Sequence, residues 1–261
     1  KECNLTKIKL SALACAILVG GQQLVAEDLN DIIDLGNYSY YQPVNINNEK
    51  KTIIGTATDA TINVDNNGEL ISRVPVFQRA DISIKNNSNA TFENEGVYIE
   101  HPHLHIINNS TVVFNDILSR NFNSLWPIIE QDNDFIGGGI SLDNSTLDIE
   151  GTGEFRNIDV LINHGSTAKI DNLKNYGSKI YVANDSKLEI NENADFYGGT
   201  DLSLDNRTLD IKGEAIFDET SVLINHGSTA KIYHLDDYGS KIYVVKDSKL
   251  EIDKDAIFAG T

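Results

Sequence analysis

From about Val44 to Thr261, apolar and polar residues alternate in short runs, and the runs end at Asn, Asp, Gly or Ser. Thr61-Ile-Asn-Val64 leads into Asp65-Asn-Asn-Gly68, Ile82-Ser-Ile84 into Asn86-Asn-Ser88, and His105-Ile-Ile107 into Asn108-Asn-Ser110. Period-two alternation with turn residues at the breaks predicts a succession of short, half-buried strands.

Beyond residue 137 this pattern repeats on two scales. Leu161–Ile170 returns unchanged as Leu223–Ile232, Tyr176–Val182 as Tyr238–Val244, and Asp185–Ile190 as Asp247–Ile252, an offset of 62 residues. Units 138–199 and 200–261 are therefore near-duplicates. Within them a five-residue frame recurs every 20 or 21 residues, at Ser145–Ile149, Ser166–Ile170, Ser186–Ile190, Arg207–Ile211, Ser228–Ile232 and Ser248–Ile252. An aromatic follows six residues after each Ile: Phe155, Tyr176, Phe196, Phe217, Tyr238 and Phe258.

So short and regular a period predicts a solenoid. The fold expected is all-β, a parallel β-helix over residues 44–261, with 20–21 residues per coil favouring the right-handed form. Coils stack about 4.8 Å apart. The six Ile residues are then expected to form one interior ladder and the six aromatics another. The outward residue of the frame reads Asp148, Lys169, Glu189, Asp210, Lys231, Glu251, which places each Lys between two acids. Earlier coils carry the same frame at Ser88–Phe92, followed by Tyr98, and at Ser110–Phe114. From Ser110 to Ser145 is 35 residues where about 21 are expected. The surplus is assigned to a surface loop at 118–135 containing Arg120, Phe122, Trp126 and Ile128, which either folds back as a cover or meets a partner.

Lys1, Lys7 and Lys9 precede the apolar run Leu10–Val19, so residues 1–26 are expected to be a secretory signal peptide. The run is too short to span a bilayer. Residues 27–43 fall outside the repeat and are expected to form a lead-in or cap. Met is absent even from position 1, so the true start is expected just upstream. Both cysteines, Cys3 and Cys15, lie in the signal, leaving the rest without disulfides or thiolate metal sites. The net charge of −18 becomes −20 once the +2 of residues 1–26 is set aside. That surface repels nucleic acid and anionic headgroups.

Candidate chemistry is sparse. His101, His103 and His105 stand at a spacing of two and are weak candidates for Zn²⁺ or Ni²⁺; an exposed polar face explains them as well. His164 and His226 lie between Asn and Gly, which is turn chemistry. The glycosylation-like triplets at Asn86, Asn108 and Asn144 are explained by their turn positions, where Asn tolerates left-handed backbone and can ladder with its neighbour. No catalytic residue, resident metal or cofactor is expected.

The signal at 1–26, the absence of later cysteine and the Asn/Gly/Ser-turned coils together resemble a bacterial autotransporter passenger of the pertactin-like kind. The resemblance covers most of the chain and rests on architecture. It implies export, display at the cell surface or outer membrane, and a C-terminal β-barrel translocator that residues 1–261 do not include. It also implies a structural stalk or adhesin that meets a host or bacterial surface receptor, protein or glycan. The alternative is a carbohydrate-binding or polysaccharide-cleaving β-helix.

Overall fold

The computed structural model describes residues 31–36, 43–120 and 139–260. The chain divides into residues 1–32 and 33–261, and the second unit holds the solenoid. It is all-β, a stack of about ten parallel coils. Each coil contributes to three faces. The first face is a ten-stranded parallel sheet running from Val44–Asn47 through Asp81–Lys85, Gly139–Asp143 and Lys179–Ala183 to Lys241–Val244. The second and third faces share a sixteen-stranded sheet. In later coils they merge into single bent strands such as Thr146–Arg156 and Thr208–Asp218. Alternating residues point in and out of each strand, and the burial pattern of Thr61–Asp65 follows that alternation.

The Ile ladder forms as expected: Ile149, Ile170, Ile190, Ile211, Ile232 and Ile252 are direct partners in successive coils. The ladder continues upward through Phe114 and Phe92 to Ser72. Outside it, Asp148, Lys169, Glu189, Asp210, Lys231 and Glu251 stack in the expected order. Lys231 meets Glu251 across the coils at 3.6 Å, whereas Glu189 bonds Lys187 on its own strand at 2.5 Å.

The aromatic ladder needs correction. On the third face the inward positions run Phe155, Asn175, Phe196, Phe217, Asp237, Phe258. Tyr176 and Tyr238 lie one residue further on and point outward, in register with Arg156, Tyr197 and Asp218. The cause is bend length. Two residues separate Ile149 from Thr152, but only one separates Ile170 from Asn172, so the alternation flips. The buried Asn175 Oδ1 accepts the backbone N–H of Ser178 at 3.3 Å, and Asp237 Oδ1 accepts that of Ser240 at 3.1 Å. Both inward polar groups thus close the turn that follows them.

The turns between the first and second faces use left-handed Asn pairs, with φ of 58° and 61° at Asn86 and Asn87 and 56° and 59° at Asn108 and Asn109. Their amides ladder: Asn108 Nδ2 donates to Asn86 Oδ1 at 2.9 Å, and Asn144 Nδ2 to Asn109 Oδ1 at 2.9 Å. This confirms turn geometry as the reason for those triplets. Beneath the amides runs a serine ladder that the sequence frame marked without explaining. Backbone N–H groups of Gly68, Ser88, Ser110 and Ser145 donate to the hydroxyls of Ser88, Ser110, Ser145 and Ser166 one coil on, at 3.1–3.3 Å. Arg207 replaces serine in this row. Its side chain is 5 % exposed, paired with the open carboxylate of Asp185 at 3.1 Å. Arg207 Nε and the neighbouring Ser186 Oγ are buried without hydrogen-bond partners. Arg207→Ser is therefore expected to restore the row and raise stability by about 1 kcal/mol, seen as a higher midpoint in thermal unfolding. A lower midpoint would mean that packing of the Arg207 stem outweighs the orphaned donors.

The 35-residue step is present, since Thr111 pairs with Thr146. Ile117–Arg120 is a third-face strand paired with Val97–Glu100 and with Gly153–Arg156. Residues 118–120 of the expected loop therefore belong to a coil. At the other end of the unit, Leu35 is buried and donates its N–H to Ile54 O at 3.0 Å, while Ile33 packs against the core. Part of the expected cap thus joins the first coil.

Candidate third-face site

The duplicated units allow an internal comparison, because every coil of residues 138–199 has a counterpart 62 residues later. Along the paired second-face strands, up to the Ile of the frame, all outward residues are unchanged: Thr146, Asp148, Thr167, Lys169, Lys187 and Glu189 return as Thr208, Asp210, Thr229, Lys231, Lys249 and Glu251. Just past that Ile, Glu150, Asp171 and Asn191 become Lys212, Tyr233 and Asp253. On the first face the outward residues of the strand bodies are also unchanged, with Ser141, Leu161 and Tyr181 matched by Ser203, Leu223 and Tyr243. Outward differences there are confined to strand ends, such as Gly139 to Asp201 and Asp159 to Ser221, and inside the core Ile140 becomes Leu202.

The third face differs at nearly every outward position. Glu154 becomes Ile216, Arg156 becomes Asp218, Lys174 becomes Asp236, Asp195 becomes Ile257 and Tyr197 becomes Ala259; only Tyr176 persists, as Tyr238. At the bend that opens this face, Thr152, Asn172 and Asn193 become Glu214, His234 and Asp255.

The first copy presents a column of Arg156, Tyr176 and Tyr197. The Arg156 guanidinium lies 4.4 Å from the centre of the Tyr176 ring and is also bonded to Glu154. The Tyr176 and Tyr197 rings stack at 5.2 Å, tilted by 14°. Burial, then the charge of Asp195, pushes the Tyr197 phenol above its ordinary value; burial, opposed by Lys174, raises the Asp195 carboxyl. The column is a semi-rigid mix of cation and aromatic surface, of the kind enriched in contact sites.

In the second copy the column positions read Asp218, Tyr238 and Ala259, and a cluster of ionisable groups stands instead where the first copy has Thr152, Asn172 and Lys174. Glu214, His234 and Asp236 bring their ligating atoms within 4.8 Å of one another. His234 Nε2 lies 3.0 Å from Asp236 Oδ1, and His234 Nδ1 is buried with no hydrogen-bond partner. Sequence reading missed this cluster because the three residues lie on two coils. The 62-residue alignment could have found it, since Thr152, Asn172 and Lys174 all change to metal-ligating types together.

The sequence-stated candidates are distributed differently. Arg120 is in a third-face strand; Phe122, Trp126 and Ile128, and the question of their contact role, lie outside the described residues. His101 is in a turn with φ of 52°, so the three imidazoles do not share one strand as their spacing suggested. His103 and His105 do share an outward row, and His105 Nδ1 is engaged with Ser141 Oγ at 2.8 Å. His164 and His226 are left-handed turn residues, each bonded to an Asp one coil earlier, Asp143 and Asp205.

Comparison with protein-family models, with curated proteins and with solved structures returned no match.

Proposed function

We propose that this chain is an exported, surface-displayed β-helical stalk or adhesin whose third face meets a receptor on a host or bacterial cell. The observation that carries this reading is the uneven divergence of the duplicated coils. Drift without selection changes outward residues on all three faces alike; here the paired strands of the second face are unchanged while the corner after them and the third face are rewritten. Duplicating coils lengthens a stalk at little cost, because solenoid stability is close to a sum over neighbouring coils. Rewriting one face then varies what that face binds. The signal-like residues 1–26 and the lack of cysteine after Cys15 support export. In an autotransporter setting the translocating outer-membrane barrel would be supplied from outside residues 1–261.

The test is attachment of the purified chain to cells, with two triple variants compared. Arg156→Ala/Tyr176→Ala/Tyr197→Ala removes the third-face column; Lys169→Ala/Glu189→Ala/Lys187→Ala removes charges from the second face. Attachment is expected to fall by about tenfold or more in the first variant, in line with loss of aromatic and Arg contacts, and to persist in the second. Equal loss in both, or no attachment by the unaltered chain, rejects the reading. Release of reducing sugar from a polysaccharide would favour the alternative, a carbohydrate-active β-helix.

A further inference from the structure

The geometry points to a divalent transition-metal site at Glu214, His234 and Asp236, one ion clipping two consecutive coils together on the third face. Glu214 and His234 are direct partners in neighbouring coils, and Asp236 follows His234 by two residues, on the same outward side of the strand. One imidazole nitrogen and two carboxylates therefore converge from two coils, with ligating atoms within 4.8 Å of one another. Ligands about 2.0–2.2 Å from a tetrahedral Zn²⁺ stand roughly 3.4 Å apart. Small side-chain rotations close that difference, and positions remain open for water or a partner's group.

One further observation separates this cluster from an ordinary surface ion pair, the internal control supplied by the duplication. The first copy has Thr152, Asn172 and Lys174 in the equivalent places, a set with no imidazole or carboxylate and with a cation of its own. Coils of otherwise the same design thus stack without the cluster, so their packing does not require it.

The ligand set also selects the ion. Ca²⁺ takes six to eight oxygens and Mg²⁺ a near-octahedral oxygen shell. An imidazole with two carboxylates suits Zn²⁺ and its first-row neighbours. The chain's net charge of −18 raises the local concentration of any cation near it. This site is independent of cell attachment, and its test does not require a receptor.

The experiment is calorimetric titration of ZnCl₂ into the full chain with any affinity tag removed and with Cys3→Ser and Cys15→Ser, so that thiolates do not compete. A Zn²⁺ ion is expected to bind at this site and to raise the thermal midpoint. His234→Asn is expected to weaken that binding by about 100-fold or more, since even outer-shell partners of a metal site are worth 10–100-fold. Glu214→Thr and Asp236→Lys should weaken it too. All three install the residue that the first copy already carries, so the metal-free melting curve should stay close to that of the parent. His103→Asn/His105→Asn should leave the site intact. The proposal is overturned if the parent chain binds no Zn²⁺, if His234→Asn binds it as the parent does, if binding is lost in the His103/His105 variant instead, or if Ca²⁺ or Mg²⁺ competes as an equal.

Discussion

Phe92→Ala is expected to cost about 3–5 kcal/mol of stability, the usual range for deleting a fully buried ring. Phe92 is completely buried. Its ring stacks on that of Phe114 with centres 4.2 Å apart and 16° between planes, and meets the Phe77 ring edge-on at 5.6 Å. The first contact joins successive coils of the second face, and the second reaches the third face across the core. Removing the ring therefore opens a gap that faces two coils and two faces at once. In a solenoid the energy is close to a sum over neighbours, so the lesion weakens the interface on each side of one coil. Chemical denaturation followed by circular dichroism should show an earlier midpoint. Because the weak point lies inside the stack, with most coils on its C-terminal side, a second transition is expected as the coils beyond it melt separately. A loss below about 1 kcal/mol would show that the coils collapse onto the gap, in which case the aromatic stack does not hold them apart.

Gly213→Ala is expected to cost about 1–3 kcal/mol, from forced displacement in a packed bend. Gly213 sits where the second face turns into the third, beside the register shift between Ile211 and Glu214. An added Cβ would stand 2.7 Å from the carbonyl carbon of Glu192 and 2.5 Å from Asn193 Oδ1, both in the coil before it. Neither neighbour yields freely. The first is backbone in the stack, and Asn193 Oδ1 accepts the N–H of Glu214 at 2.9 Å. The same device recurs one unit earlier. A Cβ added at Gly151 would stand 2.6 Å from the carbonyl oxygen of Asn115, and Asp116 Oδ1 accepts the N–H of Thr152 at 2.5 Å. Gly198→Ala is the control, since nothing lies within 4 Å of its Cβ position; it should change stability by less than about 0.5 kcal/mol. If Gly213→Ala melts with the control, the bend relaxes outward and close approach does not explain its glycine.

Coil length, the strand frame, the Ile ladder and the outward charge order were all legible in the sequence. The same holds for the left-handed Asn turns. The reason is that a repeat states its register directly: once Ser145–Ile149 and Ser166–Ile170 are aligned, stacking must place Asp148 over Lys169 and Ile149 over Ile170. What the sequence did not disclose is set by the bends. One residue more or fewer between Ile149 and Thr152 than between Ile170 and Asn172 reverses inside and outside for the rest of that face. That reversal buries Asn175 where an aromatic was expected and turns Tyr176 out onto Arg156. The same bend sets His234 of one coil directly beside Glu214 of the coil before it. Spacing along the chain does not encode that meeting, because it depends on how many residues each coil spends turning its corner, and only the stacked structure shows where each corner falls.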